Sequence, residues 1–241
     1  RGTQLGGVIF NKSNFGAEEL ETISGFISKT KVRSIGFNNA IKQESVPDFY
    51  SNFLQPKITD YLLSLNLDGT LNLDVEKIFP RLRKVALLSL ANCDLNLFQV
   101  FQQLSKFSSN LSQLQMINLS NNIVQADDIS EFPSTESKLP SRLTGFVLDG
   151  ITWGDNLKNF LEFIFNHVES KLKLTLSNSQ AEGQEWEETF KFLNESEYSA
   201  FSELVWDNNP VNESLFTFLE KNKDLIRLQL NGCLTDSKED E

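Results

Sequence analysis

The sequence predicts an α/β solenoid, a stack of strand–turn–helix units whose strands form one curved parallel sheet with helices outside it. Two observations carry this. An eleven-residue apolar pattern returns nine times at a mean spacing of about 27.5 residues, and segments with helical apolar spacing lie between the copies. No Pro/Gly-rich linker divides the 241 residues, so they read as one domain.

The pattern is L-x-x-L-x-L-x-x-N/C-x-L, the template of a leucine-rich repeat. VALLSLANCDL (85–95) fits it throughout, and LQMINLSNNIV (114–124) does so with Asn122 at the turn. FSELVWDNNPV (201–211) brings Asn209 to the turn, LIRLQLNGCLT (225–235) brings Cys233, and LTGFVLDGITW (143–153) keeps the apolar positions. Poorer copies begin at Leu5, Val32 and Leu62, and the weakest at Lys171, where only Leu174 and Leu176 hold register. The apolar positions should point into a thin core shared with the next unit. The turn Asn or Cys should bond free backbone groups, making a ladder along the stack. Burial is therefore expected for Leu65, Leu67, Leu88, Leu90, Ile117, Leu119, Phe146, Leu148, Leu204, Trp206, Leu228 and Leu230.

Helices are predicted over 17–28, 97–107, 156–168, 184–193 and 213–222, where Leu and Phe recur at helical spacing. Units 28 or 29 residues long with true helices belong to the ribonuclease-inhibitor-like class. The unit starting at Leu62 is shorter, and Pro80 should truncate its return helix. The Pro- and Ser-rich stretch 129–142 reads as a short helix and a projecting loop. Repeats span 1–235, and 236–241 form an acidic tail. Neither end leaves room for a capping unit, so the expectation is a fragment of a longer repeat array.

Net charge is −11 and the sequence pI about 4.7, which makes nucleic acid and anionic membranes poor direct partners. Acid clusters at Glu182, Glu185, Glu187, Glu188, Glu195 and Glu197, read as a solvated face. No apolar run approaches the ~20 residues of a membrane span. Phosphate-loop, nucleophile-elbow, zincin and C-x-x-C motifs are absent, so no enzyme activity and no cofactor are expected. The one histidine, His167, belongs at a helix C-terminus as a carbonyl cap. Cys93 and Cys233 occupy turns five repeats apart. At strand spacing that is on the order of 24 Å, far beyond disulfide reach. Both should be buried, reduced thiols, which favours a cytoplasmic protein.

Function then falls to the outward-facing strand positions. The central column reads Ile9, Gly36, Asn66, Ser89, Asn118, Val147, Thr175, Val205, Gln229; the next reads Asn11, Asn38, Asp68, Ala91, Ser120, Asp149, Ser177, Asp207, Asn231. Asn66, Asp68, Asn118, Ser120, Asp149, Thr175, Asp207 and Gln229 are the candidate protein-binding residues of this concave face, with the three aspartates forming a mild acidic line.

The segment FSELVWDNNPVNESLFTFLEKNKDLIRLQL (201–230) resembles the CARMIL family, linkers of capping protein, an actin-nucleating complex and myosin-I. Trp206, Asp207, Asn209 and the Lys221-Asn222 pair stand where that family has its Trp-Asp strand end, Asn turn and basic-Asn pair. The family's short proline-containing strand beyond this point has no counterpart in LQLNGC. The resemblance implies the repeat domain of a large actin regulator whose capping-protein motif lies outside this segment. Two other readings stand beside it: a recognition or inhibitor module of the ribonuclease-inhibitor type, and a GTPase-activating solenoid with Arg33 or Arg81 as its finger.

Overall fold

The computed structural model describes residues 5–125 and 138–235. Among them one nine-stranded sheet runs in strict chain order: β1 (Gly7–Asn11), β2 (Ser34–Asn38), β3 (Ser64–Asn66), β4 (Leu87–Ser89), β5 (Met116–Asn118), β6 (Gly145–Val147), β7 (Leu172–Thr175), β8 (Phe201–Val205) and, after the two-residue strand β9 (Pro210–Val211), β10 (Arg227–Gln229). All pairings are parallel, and β9 pairs separately with β11 (Leu234–Thr235). Parallel neighbours require a crossover. The returns hold α1 (Ala17–Thr30), α2 (Val46–Phe53), α3 (Pro56–Thr59), α4 (Val75–Ile78), α5 (Leu97–Lys106), α6 (Leu157–His167), α7 (Gly183–Glu195) and α8 (Glu213–Lys221). The architecture is a solenoid-like α/β fold.

Five helices fall where apolar spacing predicts them, within two residues at each end. Pro80 does shorten its return: α4 stops at Ile78 and passes into a 3₁₀ turn over Phe79–Arg81. Helices α2 and α3 were not expected. Val46, Phe49 and Phe53 give α2 a buried stripe, but eight residues are too few for the period to stand out. The acidic tail 236–241 and most of the 129–142 loop lie outside the described residues.

Parallel sheets are usually covered on both faces and read as unbroken apolar runs. Here most strands alternate, β2 and β8 being buried through most of their length. Leu65, Leu88, Ile117, Phe146, Leu174 and Leu204 enter the core at no more than 2 % exposure, while Asn66, Ser89, Asn118, Val147 and Thr175 beside them stay half-buried. Aromatic rings fill the space between sheet and helices: Phe37 packs on Phe49 and Phe53, and Phe165 lies against Phe192, Phe201 and Phe218. Ten of the twelve predicted core residues are buried; the other two, in β10 and just after it, are not. Leu228 is 43 % exposed and Leu230 half-buried, because among the described residues no further unit covers them.

The turn ladder forms as its chemistry requires. Asn122 Nδ2 donates to Leu90 O and Leu119 O, at 2.8 and 2.9 Å, while its Oδ1 accepts from Cys93 N and Leu95 N. Asn209 repeats this on Leu176 O and Ser179 N. Cys93 and Cys233 each direct their thiol at the preceding unit's carbonyl, Leu67 O and Trp206 O, both at 3.3 Å. Cys233 is only half-buried, contrary to expectation, for the same reason as Leu230. One residue ahead of the turn runs a column the apolar template does not contain. Asn39, Gly69, Asn92, Asn121, Gly150, Asn178, Asn208 and Gly232 all take left-handed backbone, φ +49° to +71°. Asn and Gly tolerate that region best, and it swings the chain out of each strand.

Candidate protein-binding face

The strand registers align the predicted central column residue by residue. Ile9 pairs with Gly36, Gly36 with Asn66, and the row continues through Ser89, Asn118, Val147, Thr175 and Val205 to Gln229. The helices occupy the other face, so this row crosses the open side of the sheet.

The polar candidates are largely committed to one another. Asp68 Oδ1 accepts from Ser89 Oγ at 2.6 Å and from Ala91 N at 2.8 Å, and its own N–H bonds Asn66 Oδ1. Asn118 Nδ2 donates to Ser89 Oγ, and Ser120 N to Asn118 Oδ1, both at 3.0 Å. Asp149 N then donates to Ser120 Oγ, and Ser177 N to Asp149 Oδ1. Asp207 ends the series, accepting from Asn231 N at 2.7 Å and from the Gln229 amide. At this level the N–H groups that face the preceding unit have passed the end of their strand pairing. Those of Ala91, Asp149, Ser177 and Asn231 find a side-chain acceptor in that unit, and those of Asp68 and Ser120 use the Asn two residues back in their own. The expected acidic line is thus a set of half-buried backbone caps, not a row of free charges. Desolvation pushes the Asp207 carboxyl up, and the Asn231 N–H, the Gln229 and Asn231 amides and the nearby Arg227 charge together outweigh it. It titrates below the ordinary aspartate range. Thr175 stands in the row between Val147 and Val205.

More accessible groups lie elsewhere on this face. Ile9 is 65 % exposed and Leu87 46 %. At the other end Glu203 joins Lys173 (2.5 Å) to Arg227 (3.8 Å) across β7, β8 and β10. A register shift puts Ser202 opposite no partner in β7, and its hydroxyl turns back onto Lys171 O and Leu172 O. Leu172, paired with Phe201, stands only two residues before Leu174 where the template asks for three, so the copy starting at Lys171 fits it least well.

The remaining chemistry-bearing residues have structural partners. His167 ends α6 with Nδ1 2.7 Å from Phe163 O, as a carbonyl cap. Cys93 is buried, and burial pushes its thiol up to about 12. Glu185 departs from the solvated reading: it is 4 % exposed and accepts Lys158 N at 2.7 Å, capping the first turn of α6. Burial raises its carboxyl above the ordinary range against that bond, and Glu188 and Asp155 add to the rise. Arg33 stands one residue ahead of β2, and Arg81 reaches Leu54 O at 3.5 Å. Among the described residues no group of three His, Cys, Asp or Glu is placed to hold a metal ion, and no helix is long and apolar enough to cross a membrane. No family model matches the chain, and no curated protein matches it.

Proposed function

We propose that the chain is a leucine-rich-repeat solenoid of the ribonuclease-inhibitor-like class, with about nine units, acting as a protein–protein interaction scaffold. The observation that carries this is the open, in-register face of a parallel sheet whose opposite face alone is packed. A sheet that invests its alternation in keeping one face uncovered offers an extended surface to a partner. The resemblance of 201–230 to the CARMIL family makes a regulator of actin filament capping and assembly the preferred assignment. The unpaired Cys93 and Cys233 fit a reducing, cytoplasmic setting.

Thr175→Arg tests the scaffold role, because Thr175 lies mid-row and outside the polar ladder. Affinity capture from cell extract should recover partners with the parent protein and lose them with the variant, at unchanged melting temperature. Capture that ignores the substitution would defeat the reading. Purified actin capping protein should not bind this segment measurably, because its Lys and Arg do not form an extended basic motif. Sub-micromolar affinity would move the docking role onto the repeats themselves.

A further inference from the structure

We propose that the leading edge of the sheet, where the strands begin in the second to fifth repeats, binds an extended acidic segment of another protein. This rests on the scaffold reading and names the chemistry of a partner.

The helices run against the strands, so each helix C-terminus meets the start of the next strand. In the second to fifth repeats that edge collects cations. Residues 29–33 hold Lys29, Lys31 and Arg33 and no acid, and residues 81–84 hold Arg81, Arg83 and Lys84 and no acid. The opposite edge collects acids, with Glu18 and Glu19 in the first turn of α1 and Glu182, Glu185, Glu187 and Glu188 around the start of α7. The net charge of −11 conceals this separation. Helix dipoles favour such sorting and account for Lys29 and Lys106 in last turns. They do not account for Arg33, Arg83 and Lys84, which lie outside any helix. A helix the length of α1 spans about 21 Å, well beyond the ~8 Å screening length at physiological salt. Across α1 the two edges therefore act as separate fields, whereas Lys106 reaches Glu76 in the first turn of the short α4 at 3.0 Å.

The leading-edge residues are also in register. Leu63 N donates to Arg33 O, Ala86 N to Leu63 O and Gln115 N to Ala86 O, each at 2.8 Å. Successive units thus step along this edge at about the strand spacing of 4.8 Å. Arg33, Arg83 and Lys84 are exposed and pair with no carboxylate of a described residue. A groove of about 660 Å³ opens between Arg83, Lys84, Asn110 and Gln113, with Asp60 as its one acid. Arg142 continues the cation row and donates to Gln113 Oε1 at 2.9 Å.

Leu63, level with Arg33 and one residue ahead of β3, and Leu87, the first residue of β4, are 44 % and 46 % exposed beside these cations. An extended chain alternates its side chains, so one running along the edge can set acids on the cations and apolar groups on the leucines. A bilayer fits less well. Leu63 and Leu87 lie in line with the cations along the edge rather than as an outermost tip, and an anionic surface would meet the whole charge of −11.

The test is fluorescence anisotropy with a labelled peptide of alternating Glu and Leu, beside a Gln-for-Glu counterpart. The Glu peptide alone should bind, and raising salt from about 0.05 to about 0.3 M should weaken it. Arg83→Glu with Lys84→Glu should cost about tenfold or more in affinity. Glu187→Lys with Glu188→Lys, on the far edge, should change it less than about twofold. Melting curves check that both doubly substituted proteins stay folded. Equal binding of the Gln peptide, indifference to the Arg83/Lys84 change, or no binding at low salt would each overturn the proposal. So would binding of phosphatidylserine vesicles or single-stranded RNA that depends on Arg83 and Lys84 while the peptide stays free. If the peptide fails but Thr175→Arg still abolishes partner capture, only this inference falls and the scaffold reading stands.

Discussion

The fifth repeat, β5 with its turn at Asn122, and the last, β10 with its turn at Cys233, fit the repeat template about equally, yet the fold treats them differently. In the fifth, Ile117 and Leu119 are fully buried and Asn122 makes four hydrogen bonds that tie two units together. In the last, Leu228 is 43 % exposed, Ile226 87 %, and Cys233 holds the preceding unit through weak thiol contacts. The difference lies in the neighbours rather than in the residues. A unit of this fold cannot bury its own apolar face, so the same leucine is core or surface according to what stacks on it.

The comparison can be broken at several depths. Trp206 belongs to the unit that the last repeat does cover: it is 1 % exposed, edge-on to Trp186, with its indole N–H donating to Pro210 O at 2.8 Å. Trp206→Ala should cost about 3–5 kcal/mol in denaturant unfolding. A loss below about 1 kcal/mol would mean that the eighth unit is already loose. Asn122→Ala strands buried donors and acceptors on both sides of the turn and should cost about 3 kcal/mol. Cys233→Ala, at the equivalent turn, should cost under about 1 kcal/mol. Equal effects would show that position within the stack does not set the contribution. Leu119→Ala against Leu230→Ala repeats the contrast in the core, with about 2–5 kcal/mol expected for the first and clearly less for the second.

Smaller effects separate two carboxylates by sign. Asp207 titrates below its ordinary range when folded, so its contribution is present at neutral pH and fades as pH falls through the lowered value. Glu185 titrates above its range, so folding favours its protonated form; that contribution is present at acid pH and lost as pH rises through the raised value. In melting experiments from neutral pH to about pH 3, Asp207→Asn should flatten the acid loss of stability. Glu185→Gln should instead bring a gain at neutral pH that vanishes in acid. Matching pH profiles for the two variants would contradict the opposite placement of these groups. The least costly contrast is chemical: at neutral pH iodoacetamide should modify half-buried Cys233 well before Cys93, whose thiol is pushed up to about 12. Faster modification of Cys93 would show that the middle of the stack opens more readily than its end.

Much of this molecule was legible as a period. Leu65, Leu88, Ile117 and Leu204 enter the core because apolar residues recur at strand positions, and periodicity needs no knowledge of neighbours. Each of the nine strands begins at most two residues after its template's first position, and the outward column aligns as counted. The register shift at Ser202 and the short helix α2 escaped because each rests on a few residues whose signal is lost among longer periods. The left-handed column has a clear sequence signature, Asn or Gly directly before eight of the nine turn positions and Lys12 before the first, but it is a backbone requirement and lies outside the apolar template.

The sequence by itself determined the apolar period, the parallel sheet, the inward and outward faces and the turn chemistry of Asn122, Asn209 and Cys93, since all of these are local patterns summed along the chain. Only the tertiary structure decided that Asp68, Asp149 and Asp207 cap the backbone of the next unit, that Glu185 is a buried helix cap, that Leu228 stays exposed, and that Arg33, Arg83 and Lys84 come onto one edge of the sheet. Those outcomes depend on which residues of different repeats meet across the stack. A hydrogen bond, a desolvated carboxylate and a local field are all properties of that meeting, and no single repeat contains them.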